Sequence, residues 1–245
     1  MKRILASVGI GNASVDTVLP STTVTPGESV EAEIHITGGS VEQDVRAIDL
    51  ELETRYATED GYTEVTIDKL RLSDGLTIQP DQDEVRSTTI EIPYETPVTL
   101  GSVEVWVETE LEIDMAVDPE DTDYLDVQPT PRMQTVFDAA EELGFTFRSA
   151  TCEADPYGRY TSGRRFVQEF EFRPQGGQFA GDLDEIELVF APTADELTVF
   201  LEVDRRGGLL SELADTDERK TQFTVRDENQ SQVTEKLRRT IEKHA

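Results

Sequence analysis

The strongest constraint on this chain is one long alternation beginning at Ser102. Val103, Val105, Val107, Leu111, Ile113 and Met115 fall on one face, with Thr109 among them, and Glu104, Trp106, Glu108, Glu110, Glu112 and Asp114 fall on the other. A period of two kept for so long requires an extended strand with one face buried and one wetted. The sequence then turns acidic at Asp118, Pro119, Glu120, Asp121 and Asp123, which predicts an acidic turn followed by a short extended piece. Pro129 and Pro131 come next. Each fixes its own φ and drives its predecessor into extended geometry, so a stiff connector is expected there. The chain is therefore divided into an N-terminal domain, 1–128, and a C-terminal domain, 129–245.

The N-terminal half repeats the same pattern on a smaller scale. Ala13 to Leu19 alternates and stops at Pro20, and Thr25-Pro26-Gly27-Glu28 is a turn. Val30, Ala32, Ile34 and Ile36 share a face, with His35 on the opposite, solvent side. Ile48, Leu50 and Leu52 continue the apolar rhythm, Glu59-Asp60-Gly61 marks a hairpin, and Val65, Ile67 and Leu70 to Leu72 return. A further strand through Thr88, Ile90 and Ile92 ends at Pro93. Short strands with regular turn punctuation and no helical period predict an antiparallel sandwich. The first residues, MKRILASVGIG, are the exception. They predict a short helix over the end of a sheet, or a weak membrane-surface contact through Ile4, Leu5 and Val8 beside Lys2 and Arg3.

The C-terminal half mixes both periods. Met133, Val136, Phe137, Ala140 and Leu143 are spaced as a helix that Gly144 stops. Phe145 and Phe147, then Phe166, Phe170 and Phe172, then Ile186, Leu188 and Phe190, then Leu197 to Val203, and last Phe223 and Val225 read as strands. Val233, Leu237 and Ile241 form one face of a final helix, with Lys236, Arg238, Arg239 and Lys243 toward its far end, where cations suit the helix dipole. The fold class expected is mainly β: two tandem antiparallel β-sandwich domains, with an N-terminal, an interdomain and a C-terminal helix.

Charge narrows the function. Against 52 acidic residues stand 22 basic ones, a net charge of -30. Such a chain repels itself in dilute buffer, and molar salt, with a Debye length of roughly 3 Å, removes most of that repulsion. The acid is spread along the whole chain, mainly on the polar faces of strands and helices, as a solvation coat would be, which predicts a salt-rich cytoplasm. The same charge argues against nucleic acid, since few cations are present to displace phosphate counterions. Cys152 is the only cysteine, so no intramolecular disulfide forms. It is not joined by sequence to His35 or His244 as a nucleophile and base. No apolar run is long enough to span a bilayer.

No motif dictates a reaction, and no catalytic, cofactor-binding or metal-ligating residue is assigned. Asp118, Glu120, Asp121 and Asp123 supply hard oxygen atoms but lack the glycine and distant glutamate of a calcium loop. They are read as a solvated connector, with a bound cation as the alternative. Local cations stand out against the acid: Arg159, Arg164 and Arg165 beside Tyr157 and Tyr160, and Arg205 and Arg206 before Gly207-Gly208. They pair with this chain's carboxylates or bind an acidic partner segment. Trp106, a large aromatic among acids, is expected to be covered by the other domain, or else exposed for a partner. Trp106, Arg159, Arg164, Arg165, Arg205 and Arg206 form the candidate interaction surface.

Several blocks then agree with one family. ILASVGIGNASVDTVL, TPGESVEAEIHITGGSVEQDVRAIDLELET and VWVETELEIDMAVDPEDTDYLDVQPTP, followed by LGFTFRSATCEADP, FVQEFEFRP, LDEIELVF and LEVDRRGGLLSELADTDERK, resemble the SpoOM family of sporulation-control proteins. The resemblance covers Ile4 to about Lys220 in order. It implies an arrestin-like pair of sandwiches and a cytosolic, non-enzymatic regulator or adaptor that works through protein partners. The excess acidity and the stretch after Asp204 depart from the family pattern. A ligand- or ion-binding module at the domain interface is the alternative of a different class.

Overall fold

The computed structural model describes residues 12–72, 75–114, 117–160, 164–205, 221–227 and 229–244. The expected N-terminal helix, Met115, Arg206 and the glycine pair after it lie outside the described residues. The protein is mainly β, as its alternations require. Two compact units are present: residues 1–55, 64–99 and 104–128 form the first, and 56–63, 100–103 and 129–245 the second.

The first unit holds β1 (Ser14–Val18), β2 (Thr23–Val24), β3 (Ser29–Thr37), most of β4 (Gln43–Thr58) and β5 (Gly61–Leu72), β6 (Leu76–Ile78), β7 (Asp83–Glu91), β8 (Val105–Ile113) and β9 (Glu120–Val127). One sheet has the order β1-β3-β7. The other runs β4-β8-β9-β2, with β5 and β6 also paired to β4. The residues that alternation assigned inward meet in its core: Ala32, Ile34 and Ile36 from β3, Leu50 and Leu52 from β4, Val105, Val107 and Leu111 from β8. Thr109 breaks the apolar row of β8 without penalty, because its hydroxyl shares a 2.7 Å hydrogen bond with that of Thr17 on β1.

The acidic turn expected at Asp118 to Asp123 is corrected by the structure. The turn itself is short: Asp118 Oδ1 accepts the backbone N–H of Ile113 at 2.8 Å, and the Leu111 N–H donates to the Pro119 carbonyl at 3.1 Å. From Glu120 onward the chain is β9, paired antiparallel with β8 from Glu110↔Glu120 to Val105↔Leu125. Pairing with a well-formed neighbour overrides the low strand propensity of Asp and Glu. The carboxylates are therefore strung along a strand and do not converge as a cup. Among the described residues no group of three His, Cys, Asp or Glu side chains is placed to hold a metal ion.

Among the described residues the second unit has one antiparallel sheet, in the order β14-β13-β12-β11-β10. Its strands are β10 (Phe145–Ala154), β11 (Phe166–Pro174), β12 (Leu183–Pro192), β13 (Leu197–Arg205) and β14 (Thr221–Val225). Two helices pack on it, α1 (Pro131–Glu142) and α2 (Gln230–Glu242). Among the described residues they supply the layer opposite the sheet. Thr130 caps α1 by accepting the Met133 N–H at 3.3 Å, and Pro131 takes the first helical position, where its missing N–H is harmless. Gly144 ends the helix at φ +88°, where a Cβ would also lie 2.6 Å from the Gly176 carbonyl oxygen. Asn229 caps α2 in the same way as Thr130 caps α1, accepting the Gln232 N–H at 3.1 Å. Phe137 of α1 joins Phe170, Phe172 and Phe190 of the sheet in one aromatic cluster. The β4–β5 hairpin tip, 56–63, belongs to this unit: Ala57 pairs in parallel with Glu153, and Tyr56 stacks on Phe166 at 5.7 Å.

Candidate functional site

In the first unit the cations are engaged by the acid around them. Asp49 faces outward from β4 yet is buried; Arg71 Nη1 donates to its Oδ2 at 2.9 Å, and Lys69 Nζ stands 3.5 Å from the same atom. Lys69 also donates to Glu51 at 2.5 Å, which holds that carboxyl below the usual range. Arg71 reaches Glu112 in turn and lowers its carboxyl likewise. Arg46 contacts Glu112 at 3.5 Å and pairs with Asp114. Where no cation stands close, the shift reverses. Asp123 is pushed up to about 6 by burial first, then by Asp121 and Asp16. This face is a ladder of ion pairs that leaves little free positive charge.

Trp106 lies in this unit and is 6% exposed. Its indole N–H donates to Glu53 Oε2 at 3.1 Å, and its ring stands 6.0 Å from that of Tyr124, the residue opposite it on β9. Tyr124 is 60% exposed. Trp106 thus presents no surface of its own, and the exposed aromatic at this place is Tyr124.

The arginines belong to the second unit. Asp155, 1% exposed, organises the loop after β10 by accepting the backbone N–H groups of Arg159 and Tyr160 at 3.0 and 3.1 Å. The Asp155 N–H in turn donates to the Arg165 carbonyl at 2.7 Å. Arg159 lies 3.6 Å from the Asp155 carboxylate and 5.9 Å from the Tyr160 ring centre, and Arg164 lies 5.8 Å from that of Phe166. Arg159 and the Arg165 backbone are thus tied to Asp155, and Arg159 and Arg164 each lean on an aromatic ring. Beside this loop Tyr160, Phe200, Val189 and Leu201 wall a small recess with Glu187 and Glu202. Burial, and after it Glu169 and Glu202, raises Glu187 to about 7. Burial likewise pushes the Tyr160 phenol up to about 12. Arg205 is separate from this loop: its Nε donates to the His244 carbonyl at 2.6 Å, just past the end of α2, where a cation meets the negative helix terminus.

The feature that the sequence did not disclose is the edge of β7. Among the described residues this strand is bonded on one side only, to β3. The Ile92 N–H donates to Glu28 and its carbonyl accepts from Gly27, while the Gln82 carbonyl accepts from Gly38. Those bonds fix the alternation: even-numbered residues turn their backbone groups toward β3, and Asp83, Val85, Ser87, Thr89 and Glu91 turn theirs outward. Among the described residues nothing pairs with that outer row. Two other edges are partly blunted. Thr17 of β1 donates its N–H to Asp121 Oδ2 at 2.6 Å, and Lys236 donates to the Thr224 carbonyl of β14 at 3.0 Å. Beside the second half of β7 opens a cleft of about 80 Å³ whose apolar wall is Leu50, Leu52, Leu70, Ile90 and Val107.

Comparison with known proteins agrees with the blocks read from the sequence. A family model described as SpoOM protein matches residues 1–207. The sporulation-control protein spo0M of Bacillus subtilis is 42% identical over 209 residues, spanning 84% of this chain and 80% of that protein. The crystal structure of Spo0M, the sporulation control protein from Bacillus subtilis, superposes with a TM-score of 0.87 at 36% identity, covering 96% of this chain and 100% of that one.

Proposed function

Since this chain belongs to the SpoOM protein family, we propose that it is a regulator of the sporulation-control type that acts by binding protein partners in the cytoplasm and catalyses no reaction. The observation that carries this reading is the outer row of β7: backbone donors and acceptors, unpaired among the described residues, beside an open apolar cleft. Such an edge recognises an extended peptide through its main chain. The charge of -30 supports a protein partner over nucleic acid. No described helix is long and apolar enough to cross a membrane. The acid coat belongs to a salt-rich cytoplasm, so the partner is sought under those conditions.

The test is affinity capture of the tagged chain from its own host's lysate in molar KCl, quantified against the tag alone. A small, recurrent set of proteins recovered in near-stoichiometric amounts is the expected result. Recovery indistinguishable from the tag alone overturns the reading.

A further inference from the structure

We infer that the Ser87–Glu91 half of β7 accepts one further strand from a partner protein, an extended segment in which apolar and basic side chains alternate. This rests on the partner-binding reading above and specifies its place and chemistry.

Three observations meet at these residues. Ser87, Thr89 and Glu91 direct their backbone N–H and C=O groups away from β3. Thr89, Ile90 and Glu91 also line the cleft, so a strand laid against them sets every second side chain over Leu50, Leu52 and Leu70. Those positions call for apolar residues. The third observation is charge. Lys69 at the rim is engaged by Glu51 and Asp49, and Asp68 and Glu91 are exposed carboxylates beside it. Residues of the added strand between the apolar ones face outward, opposite Ser87, Thr89 and Glu91. A basic side chain there makes an opposite-charge pair with Glu91.

The first half of the strand is different. Arg86 pairs with Glu84 at 3.1 Å, and its Nε is buried with no hydrogen-bond partner. An inward-turned charge of this kind discourages edge pairing, which confines the added strand to the second half. A second copy of this chain is the poorer occupant. Its β7 carries Asp83, Glu84 and Glu91 against the one cation Arg86, and brings more acid to an acidic rim.

The probe is a short synthetic peptide alternating lysine and valine, titrated into the full chain at moderate salt. Two derivatives carry N-methyl groups, one on every lysine and one on every valine. Net charge is the same in all three. In an antiparallel pairing the N–H groups that face β7 belong to the lysines, and in a parallel pairing to the valines. Methylation of one set should therefore lower affinity at least tenfold, while methylation of the other leaves it within a few-fold of the parent. On the protein side, Ser87→Pro removes an outward N–H and no bond to β3, so the fold tolerates it and binding falls tenfold or more. Equal binding of all three peptides, or an unchanged affinity in Ser87→Pro, reduces the attraction to bulk charge and overturns the inference. So does failure of the parent peptide to bind. Self-association of the chain that is lost in Ser87→Pro assigns the edge to a second copy and overturns the chosen occupant. Partners captured equally by the wild type and Ser87→Pro would sink this inference alone and leave the partner-binding reading standing.

Discussion

Phe170→Ala is expected to destabilise the second unit by about 3–5 kcal/mol, the range for truncating a fully buried aromatic. Phe170 is 1% exposed. Its ring centre lies 5.0 Å from that of Phe137 on α1 and 4.9 Å from that of Phe190 on β12. It therefore joins the helical layer to the sheet, and alanine leaves a void bounded by rigid rings that collapse poorly. The two units can be read apart by spectroscopy. The one tryptophan of the chain, Trp106, lies in the first unit, and both described helices lie in the second. Urea unfolding followed by far-ultraviolet helix dichroism should show the loss. A dichroism midpoint equal to that of the wild type would contradict the packing described for α1.

Gly38→Ala is expected to cost the first unit about 3 kcal/mol, an overpacking penalty at the upper end of its usual range. The reason is contact and not backbone freedom. A Cβ on Gly38 would lie 2.0 Å from the Gln79 carbonyl oxygen and 3.2 Å from Ile78 Cγ1. The oxygen is backbone and cannot swing aside as a flexible side chain would. Gly38 is also held on both sides: its N–H donates to the Gln82 carbonyl at 2.7 Å, and its own carbonyl accepts the Asp81 N–H at 3.2 Å. Moving the 79–82 loop to admit a methyl group strains those bonds and disturbs the start of β7. Tryptophan fluorescence during urea unfolding reads the effect. A midpoint equal to that of the wild type would contradict the close approach at Gly38.

What could be read from the sequence was whatever repeats along the chain. The alternation of Val103 to Ile113 reappears as the buried face of β8, and the spacing of Val233, Leu237 and Ile241 as the buried face of α2. The family resemblance, carried by blocks in order, holds over residues 1–207. What could not be read depends on neighbours across the fold. Glu120 to Asp123 has the composition of a turn and becomes strand because β8 lies beside it. Trp106 falls on the face that alternation wets, yet it is buried, with Glu53 and Tyr124 opposite it on the adjacent strands. The arginines were visible as rare cations, but the hydrogen bonds from the Arg159 and Tyr160 N–H groups to the Asp155 carboxylate were not. The edge of β7 has no local signature at all. Strand order decides which strand is last in a sheet, and strand order is not written in any one strand.

The proposed strand addition requires the outer backbone row of β7 to be open in the isolated chain. Amide hydrogen exchange resolved along β7 by nuclear magnetic resonance tests this most directly. Slow exchange at Glu84, Arg86, Thr88 and Ile90, alternating with fast exchange at Val85, Ser87, Thr89 and Glu91, is the predicted result, because only the first set is bonded to β3. Equal protection of both sets in the isolated chain would show the edge already covered and would contradict strand addition there.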